Sequence, residues 1–394
     1  MLKENSGNIK PRALLTFIVT FLLGTLVSFS SNSFESNAKS AFVVDDLTGT
    51  ILLEKNATKR IPPASMSKLM TLYMIFDALR DERIFLTDTI RVSKNASQKG
   101  GSKMFLNEGQ KVSIEDILRG IIIHSGNDAC IAIAEALSGT EKEFAREMNV
   151  MAKDLGLVNS YFTNSTGWPD ENHFMSAIDL VNIATKIRIE FPSFYKYFAE
   201  ESFTWNKITQ KNRNPMLNKG LGADGFKTGH TEAAGYGLVG SAKRGNRRVT
   251  FIVSGMDTNN QRTIESEKII NWAYRDFKAK RILKQNQIIG SMPVWLGAKK
   301  TVPLYAKEDI YILMPTSKEI NVKSLLTYNR PIKAPFSAGH ESPAKLKLIY
   351  DIGSKTATKE YNLFVSEGSE IGNFFTRVNA SLTIFFNYMK SAIK

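Results

Sequence analysis

Residues 61–71 read Ile61-Pro62-Pro63-Ala64-Ser65-Met66-Ser67-Lys68-Leu69-Met70-Thr71. Two consecutive prolines halt whatever precedes them, because proline lacks the N–H that a helix interior or central strand needs. From Ser65 to Leu79 the chain is then apolar nearly all round, with Leu69, Met70, Leu72, Tyr73, Met74, Ile75 and Phe76. A helix apolar on every side runs through a core rather than over it. The pattern predicts a central buried helix beginning at Ser65, with Ser65 and Lys68 on one face at a spacing of three.

That pairing has a chemical use. A serine hydroxyl is a poor nucleophile until a base takes its proton, and a lysine can be that base where burial and neighbouring cations lower its pKa. A helix N-terminus adds free N–H groups and the positive end of the dipole, which suit an oxyanion. Ser-x-x-Lys decides little alone, since it recurs at Ser36, Ser193, Ser342 and Ser391, and Ser-x-Asn occurs at Ser6, Ser30, Ser93 and Ser125. Lys-Thr-Gly occurs once, at Lys227-Thr228-Gly229. Order and context carry the weight: Ser65 and Lys68 open a buried helix, Ser125-Gly126-Asn127 falls between two helices, and Lys227 enters a strand after a turn.

Around these elements the chain organises as an α+β protein. Ser40 to Asp46 and Thr50 to Glu54 flank Leu47-Thr48-Gly49 as a hairpin. Ser113 with Asp116, and Thr140 with Glu143, are capping signatures that open helices running to His124 and to about Gly156. Gly235 to Ala242 and Arg248 to Met256 form a second hairpin, and a helix is expected from about Arg262 to Lys280. Strands at both ends of a helical middle imply a sheet joining remote parts of the chain. From Ile282 to Phe364, short strand-like runs such as Pro293 to Leu296, Ile310 to Met314 and Lys345 to Tyr350 indicate a small all-β domain.

The bulk numbers agree with a folded, multidomain protein. The chain has 394 residues, 43% hydrophobic and 23% charged. A single cysteine, Cys130, excludes an internal disulfide, and with four histidines no metal centre is expected. The net charge of +14 fits nucleic acid, anionic lipid or an acidic polymer. The absence of zinc-finger spacing and of a basic run interleaved with aromatics argues against nucleic acid.

Both ends have a membrane character. Lys3, Lys10 and Arg12 precede an apolar run from Ala13 to Phe29 and then small polar residues, the order of a signal peptide, assigned to residues 1–33. An uncleaved anchor is the alternative reading; either way the rest is exported. At the other end Ile371, Phe374, Phe375, Val378, Leu382, Phe385, Phe386, Met389 and Ile393 fall on one helical face. Residues 367–394 are therefore expected to form an amphipathic helix lying on a membrane, with a helix packed on its own domain as the alternative.

With these residues in view, the chain resembles the penicillin-binding D-alanyl-D-alanine carboxypeptidases, the low-molecular-mass penicillin-binding proteins related to β-lactamases. The likeness spans almost the whole mature chain. Besides residues 61–71, it includes Gly101-Ser102-Lys103-Met104-Phe105, His124-Ser125-Gly126-Asn127-Asp128-Ala129, Asn212-Arg213-Asn214 and Asp224 to Thr231. Pro293-Val294-Trp295, Lys299 to Leu304 and the amphipathic tail also fit that family.

The resemblance implies a β-lactamase/transpeptidase-like catalytic domain over residues 34–281, an all-β domain over 282–366 and the anchoring helix beyond, on the outer, periplasmic face of the cytoplasmic membrane. It implies that Ser65 attacks the carbonyl between the two terminal D-alanines of a peptidoglycan pentapeptide stem, Lys68 accepts its proton, and Ser125 helps return a proton to the departing D-alanine. Asn127 would hold the substrate amide, Lys227 would supply positive charge, and Thr228 and Arg213 would bind the terminal carboxylate. Gly229 belongs to the same substrate-binding strand, and the N–H groups of Ser65 and His230 would form the oxyanion hole. β-Lactams would acylate Ser65; no cofactor is implied. A β-lactamase would share these elements, but no Glu-x-x-Leu-Asn element is found. A D,D-endopeptidase and a catalytically silent wall-binding module are the other readings, although the silent one predicts a damaged motif and all three are intact.

Overall fold

The computed structural model describes residues 34–352 and 355–378. The expected signal peptide, and the tail from residue 379 onward, lie outside the described residues.

A five-stranded antiparallel sheet runs in the order Thr50–Lys55, Ser40–Asp45, Arg247–Met256, Gly235–Arg244, Ala223–Thr231. Both hairpins read from the sequence are present. The sheet is sandwiched, as strand alternation requires. Phe42, Val239 and Ile252 pack into a helical core on one face. Ala41, Val43, Leu238, Phe251 and Val253 pack on the other against Ile269, Ile270 and Trp272 of the helix Asn259–Arg275.

The helical side is built on Lys68–Arg80, which buries eleven of its thirteen residues. Around it stand Ile114–Ile122, Asn127–Ser138, Glu141–Asp154 and Ala177–Glu190. Ser113 and Thr140 cap their helices as expected, accepting from the Asp116 and Glu143 N–H groups. Ser176 caps Ala177–Glu190 in the same way, a helix the sequence reading did not assign.

Two expectations are corrected. The central helix does not open as an α-helix at Ser65. Residues Ala64–Ser67 form a 3-10 turn in which Met66 N–H donates to Pro63 O, and the α-helix begins at Lys68. Ala64 sits at φ +49, which turns the chain sharply out of the two prolines. The helix expected to reach Lys280 ends at Arg275, because Phe277–Leu283 is a strand that pairs with Ile310–Pro315.

Beyond it a six-stranded sheet has its own core of Met292, Val302, Leu304, Leu348, Leu363 and Val365. Lys359 from this region donates to the Thr48 carbonyl of the first hairpin. Residues 374–378 are helical, with Phe374 and Phe375 exposed. Among the described residues, no helix is long and apolar enough to cross a membrane.

Candidate active site

Ser65 occupies the 3-10 turn, and its Oγ accepts a hydrogen bond from Lys68 Nζ at 2.9 Å. The same amine donates to Asn127 Oδ1 at 2.8 Å and to the Thr166 carbonyl. All three acceptors are neutral, and Lys68 is wholly buried. Burial therefore lowers its pKa from 10.5 to about 8, with the Arg213 guanidinium acting in the same direction. That change corresponds to about 3 kcal/mol of disfavoured charge. Two buried leucines offset it at about 1.5–3 kcal/mol each, and the helix carrying Lys68 supplies Leu69 and Leu72.

The second serine lies beyond the end of Ile114–Ile122, where Ser125 adopts φ +59. Its Oγ accepts from Lys227 Nζ at 2.8 Å. Lys227 is 2% exposed, and burial first, then the charge of Lys68, hold its pKa well below the ordinary lysine value. Asn127 opens the next helix, and its Nδ2 donates to Gly100 O at 2.9 Å. Gly126 precedes it because a Cβ there would lie 2.9 Å from Asp128 Oδ1 and 3.2 Å from Met104 N.

Lys227, Thr228 and Gly229 lie within Ala223–Thr231, the edge strand of the sheet. Gly229 lets that strand close on the serine turn. A Cβ at Gly229 would stand 2.9 Å from Pro63 O and 3.0 Å from Met66 Cγ. The His230 side chain is exposed, its ring stacked on Tyr236 at 3.8 Å. Arg213 approaches from the opposite wall, where its Nη1 donates to Ser102 Oγ at 2.6 Å, and the Ser102 carbonyl accepts from Asn127 N–H at 2.7 Å. The structure thus joins Ser65, Lys68 and Asn127 by direct bonds, and Ser125 with Lys227 by another. The two sets are close enough for the Lys68 charge to act on Lys227, with Gly229 packed on the serine turn. Among the described residues, no hydrogen bond ties the side chain of Thr228, Arg213 or His230 to either set.

Three contributors escaped the sequence reading. The Thr166 carbonyl bonded to Lys68 is held by Asn164, whose Oδ1 accepts from Thr166 N–H, Thr166 Oγ1 and Trp168 N–H. A backbone carbonyl leaves no side-chain signature, and only the turn residues Asn164 and Gly167 hint at it. Asp128 accepts from Met104 N–H at 2.8 Å and Leu106 N–H at 3.1 Å, latching the segment that carries Ser102. Arg262 is 6% exposed, donates to Asn259 Oδ1, and forms no ion pair among the described residues. Burial lowers its pKa to about 10, and its charge adds to the field that depresses Lys227. An unpaired buried cation beside the edge strand favours an anionic ligand.

A serine bonded to a buried amine, on a turn pressed against a sheet edge, defines an active-site serine enzyme of the acyl-transfer class. The family model for D-alanyl-D-alanine carboxypeptidase, peptidase S11, matches residues 27–258, and that for the C-terminal domain of penicillin-binding protein 5 matches residues 277–368. The chain belongs to the D-alanyl-D-alanine carboxypeptidase family. It is 34% identical over 361 residues to D-alanyl-D-alanine carboxypeptidase DacD of Escherichia coli strain K12, covering 90% of this chain and 92% of that one. Penicillin binding protein 5 from Haemophilus influenzae superposes with a TM-score of 0.77 at 35% identity, covering 85% of this chain and 98% of that one. The ampicillin-bound form of penicillin-binding protein D2 from Listeria monocytogenes matches with a TM-score of 0.56 at 27% identity, over 61% of this chain and 98% of that one.

Proposed function

We propose that this protein removes the terminal D-alanine from peptidoglycan pentapeptide stems through an acyl-enzyme on Ser65, and that β-lactams acylate the same oxygen. The observation that carries the reading is the bond from a buried amine of lowered pKa to Ser65 Oγ in a cleft rich in cations. Neutral Lys68 takes the Ser65 proton as Oγ bonds to the penultimate D-alanine carbonyl. The C–N bond to the last D-alanine then breaks, and Ser125, bonded to Lys227, passes a proton to the departing amine. Water finally cleaves the ester.

The N–H groups of Ser65 and His230 serve as the oxyanion hole, a role supported by the close packing of Gly229 on Pro63 and Ala64. Asn127 orients the substrate amide. Thr228 and Arg213 take the terminal carboxylate, and Arg262, buried and in no ion pair among the described residues, is a further candidate for that set. The ampicillin-bound relative supports acylation by β-lactams.

The same reading assigns residues 1–33 to an export signal and residues 371–394 to a membrane-surface helix, supported by the exposure of Ile371, Phe374, Phe375 and Val378. It places the protein on the outer, periplasmic face of the cytoplasmic membrane. The catalytic domain then ends near Asp276, since Phe277 already pairs with the all-β unit.

The test is incubation of the purified protein with a peptide ending in Lys-D-Ala-D-Ala, beside Ser65→Ala. D-Alanine release is expected from the intact protein alone. No release, together with rapid hydrolysis of penicillin, would establish a β-lactamase instead.

A further inference from the structure

A neutral lysine amine has two N–H bonds and one lone pair. At Lys68, Asn127 Oδ1 and the Thr166 carbonyl accept the two N–H bonds, which leaves the lone pair facing Ser65 Oγ. The carbonyl therefore sets the direction of proton transfer, because without it the amine can turn and present an N–H to the serine instead. Asn127 stands on a helix. Thr166 lies in the irregular stretch between Tyr161 and Phe174, so side chains from neighbouring elements have to fix it in place.

The residue just before that carbonyl is tied on two sides. Ser165 is buried, and its N–H and Oγ both donate to Glu141 Oε1, at 3.0 and 2.8 Å. Its carbonyl accepts from Thr71 Oγ1 at 2.6 Å, three residues beyond Lys68 on the same helix. Glu141 is the first residue of the helix Glu141–Asp154, where the positive end of the dipole favours a carboxylate. It forms no ion pair among the described residues, and hydrogen bonds to an ionised acceptor are stronger than those to a neutral one. The same helix holds the loop further back, since Asn149 Oδ1 accepts from Phe162 N–H and Asn149 Nδ2 donates to Phe162 O.

We infer that Glu141 is a positioning residue for the reaction: by gripping Ser165 with one carboxylate oxygen it fixes the Thr166 carbonyl on Lys68, and so keeps the lone pair of the amine on Ser65. This inference rests on the reading of Ser65 as the acylated residue with Lys68 as its base. The Glu141 charge also acts through space and raises the Lys68 pKa. Acceptor and charge are therefore separable by substitution.

Glu141→Gln keeps an acceptor oxygen and loses the charge, whereas Glu141→Ala loses both. Acylation of Ser65 by a fluorescent penicillin is followed across pH, with rates taken per active site counted by mass spectrometry of the adduct. In Glu141→Gln the pH limb should move to lower pH while the plateau rate stays within about twofold of wild type. In Glu141→Ala the limb should move the same way, and the plateau should fall by about 10- to 100-fold, the scale of a misplaced reacting group. Ser165→Ala removes one buried oxygen and one of the two bonds to the carboxylate, and should slow the plateau by about threefold. It keeps the question decidable if Glu141→Ala does not fold. A wild-type plateau in Glu141→Ala or in Ser165→Ala, or a Gln variant no faster than the Ala variant, overturns the positioning role while acylation of Ser65 stands. Absence of any adduct at Ser65 in the wild type overturns the acyl-enzyme reading and the role of Glu141 with it.

Discussion

Lys227 donates to Ser125 Oγ at 2.8 Å, within the same cleft where Lys68 bonds Ser65. The site therefore holds two serine–lysine pairs, and each amine is kept from carrying its charge easily by burial. In the proposed reaction the two pairs divide the labour: one removes a proton from the attacking oxygen, and the other returns one to the leaving nitrogen.

The first pair sets a pH dependence. Lys68 acts as a base only when neutral, so acylation by a fluorescent penicillin should rise about tenfold per pH unit toward 8 and level off above it. Removing the guanidinium in Arg213→Ala takes away a charge that lowers this pKa, so the limb should move to higher pH. Between about 8 and 10.5 the unfolded chain holds a proton that folded Lys68 has released, so this group makes stability rise with pH across that window. A rate limb indifferent to Arg213 would remove the electrostatic link.

Gly167 is held at φ +75, and a Cβ there would stand 2.0 Å from Ala64 O and 2.6 Å from Ser67 Oγ. Gly167→Ala must push the Thr166 loop off the serine turn. Chemical denaturation should show a loss of about 3 kcal/mol, with acylation slowed because the Thr166 carbonyl no longer positions Lys68. Wild-type stability in this variant would contradict the packing described.

Asp128 spends both carboxylate oxygens on the Met104 and Leu106 N–H groups. Asp128→Ala leaves two buried donors unpaired and should cost about 2–4 kcal/mol. The wall bearing Ser102 and Arg213 would loosen, so KM for the peptide should rise more than the penicillin acylation rate falls.

Arg262 and Arg213 can be told apart as carboxylate partners by comparing a free C-terminal D-alanine with its amide. The wild type should prefer the free acid by about 10-fold or more. Whichever of Arg262→Ala and Arg213→Ala collapses that preference identifies the residue that binds the carboxylate; a preference intact in both would place the carboxylate elsewhere.

Several elements were legible before the structure because their signals are local. The caps at Ser113 and Thr140, the two hairpins and the all-round apolar stretch after Ser65 each depend on residues within a few positions of one another. The helix end at Arg275 was misread because the run after it has no proline or glycine to stop a helix. Its strand state comes from pairing with Ile310–Pro315, which no local pattern encodes. The 3-10 turn at Ser65 depends likewise on the left-handed Ala64, a conformation alanine does not announce.

By itself the sequence determined the fold class, the candidate serine with its amine at a spacing of three, and the intact Ser-Gly-Asn and Lys-Thr-Gly elements, since all of these rest on residue type and short-range periodicity. Only the tertiary structure decided that Lys68 meets Asn127 and the Thr166 carbonyl, that Lys227 meets Ser125, and that Arg262 lies buried with no ion pair among the described residues. Those contacts join segments separated by 59 to 102 residues. Burial and through-space charge, which lower the pKa of both amines, exist only once the chain has closed around them.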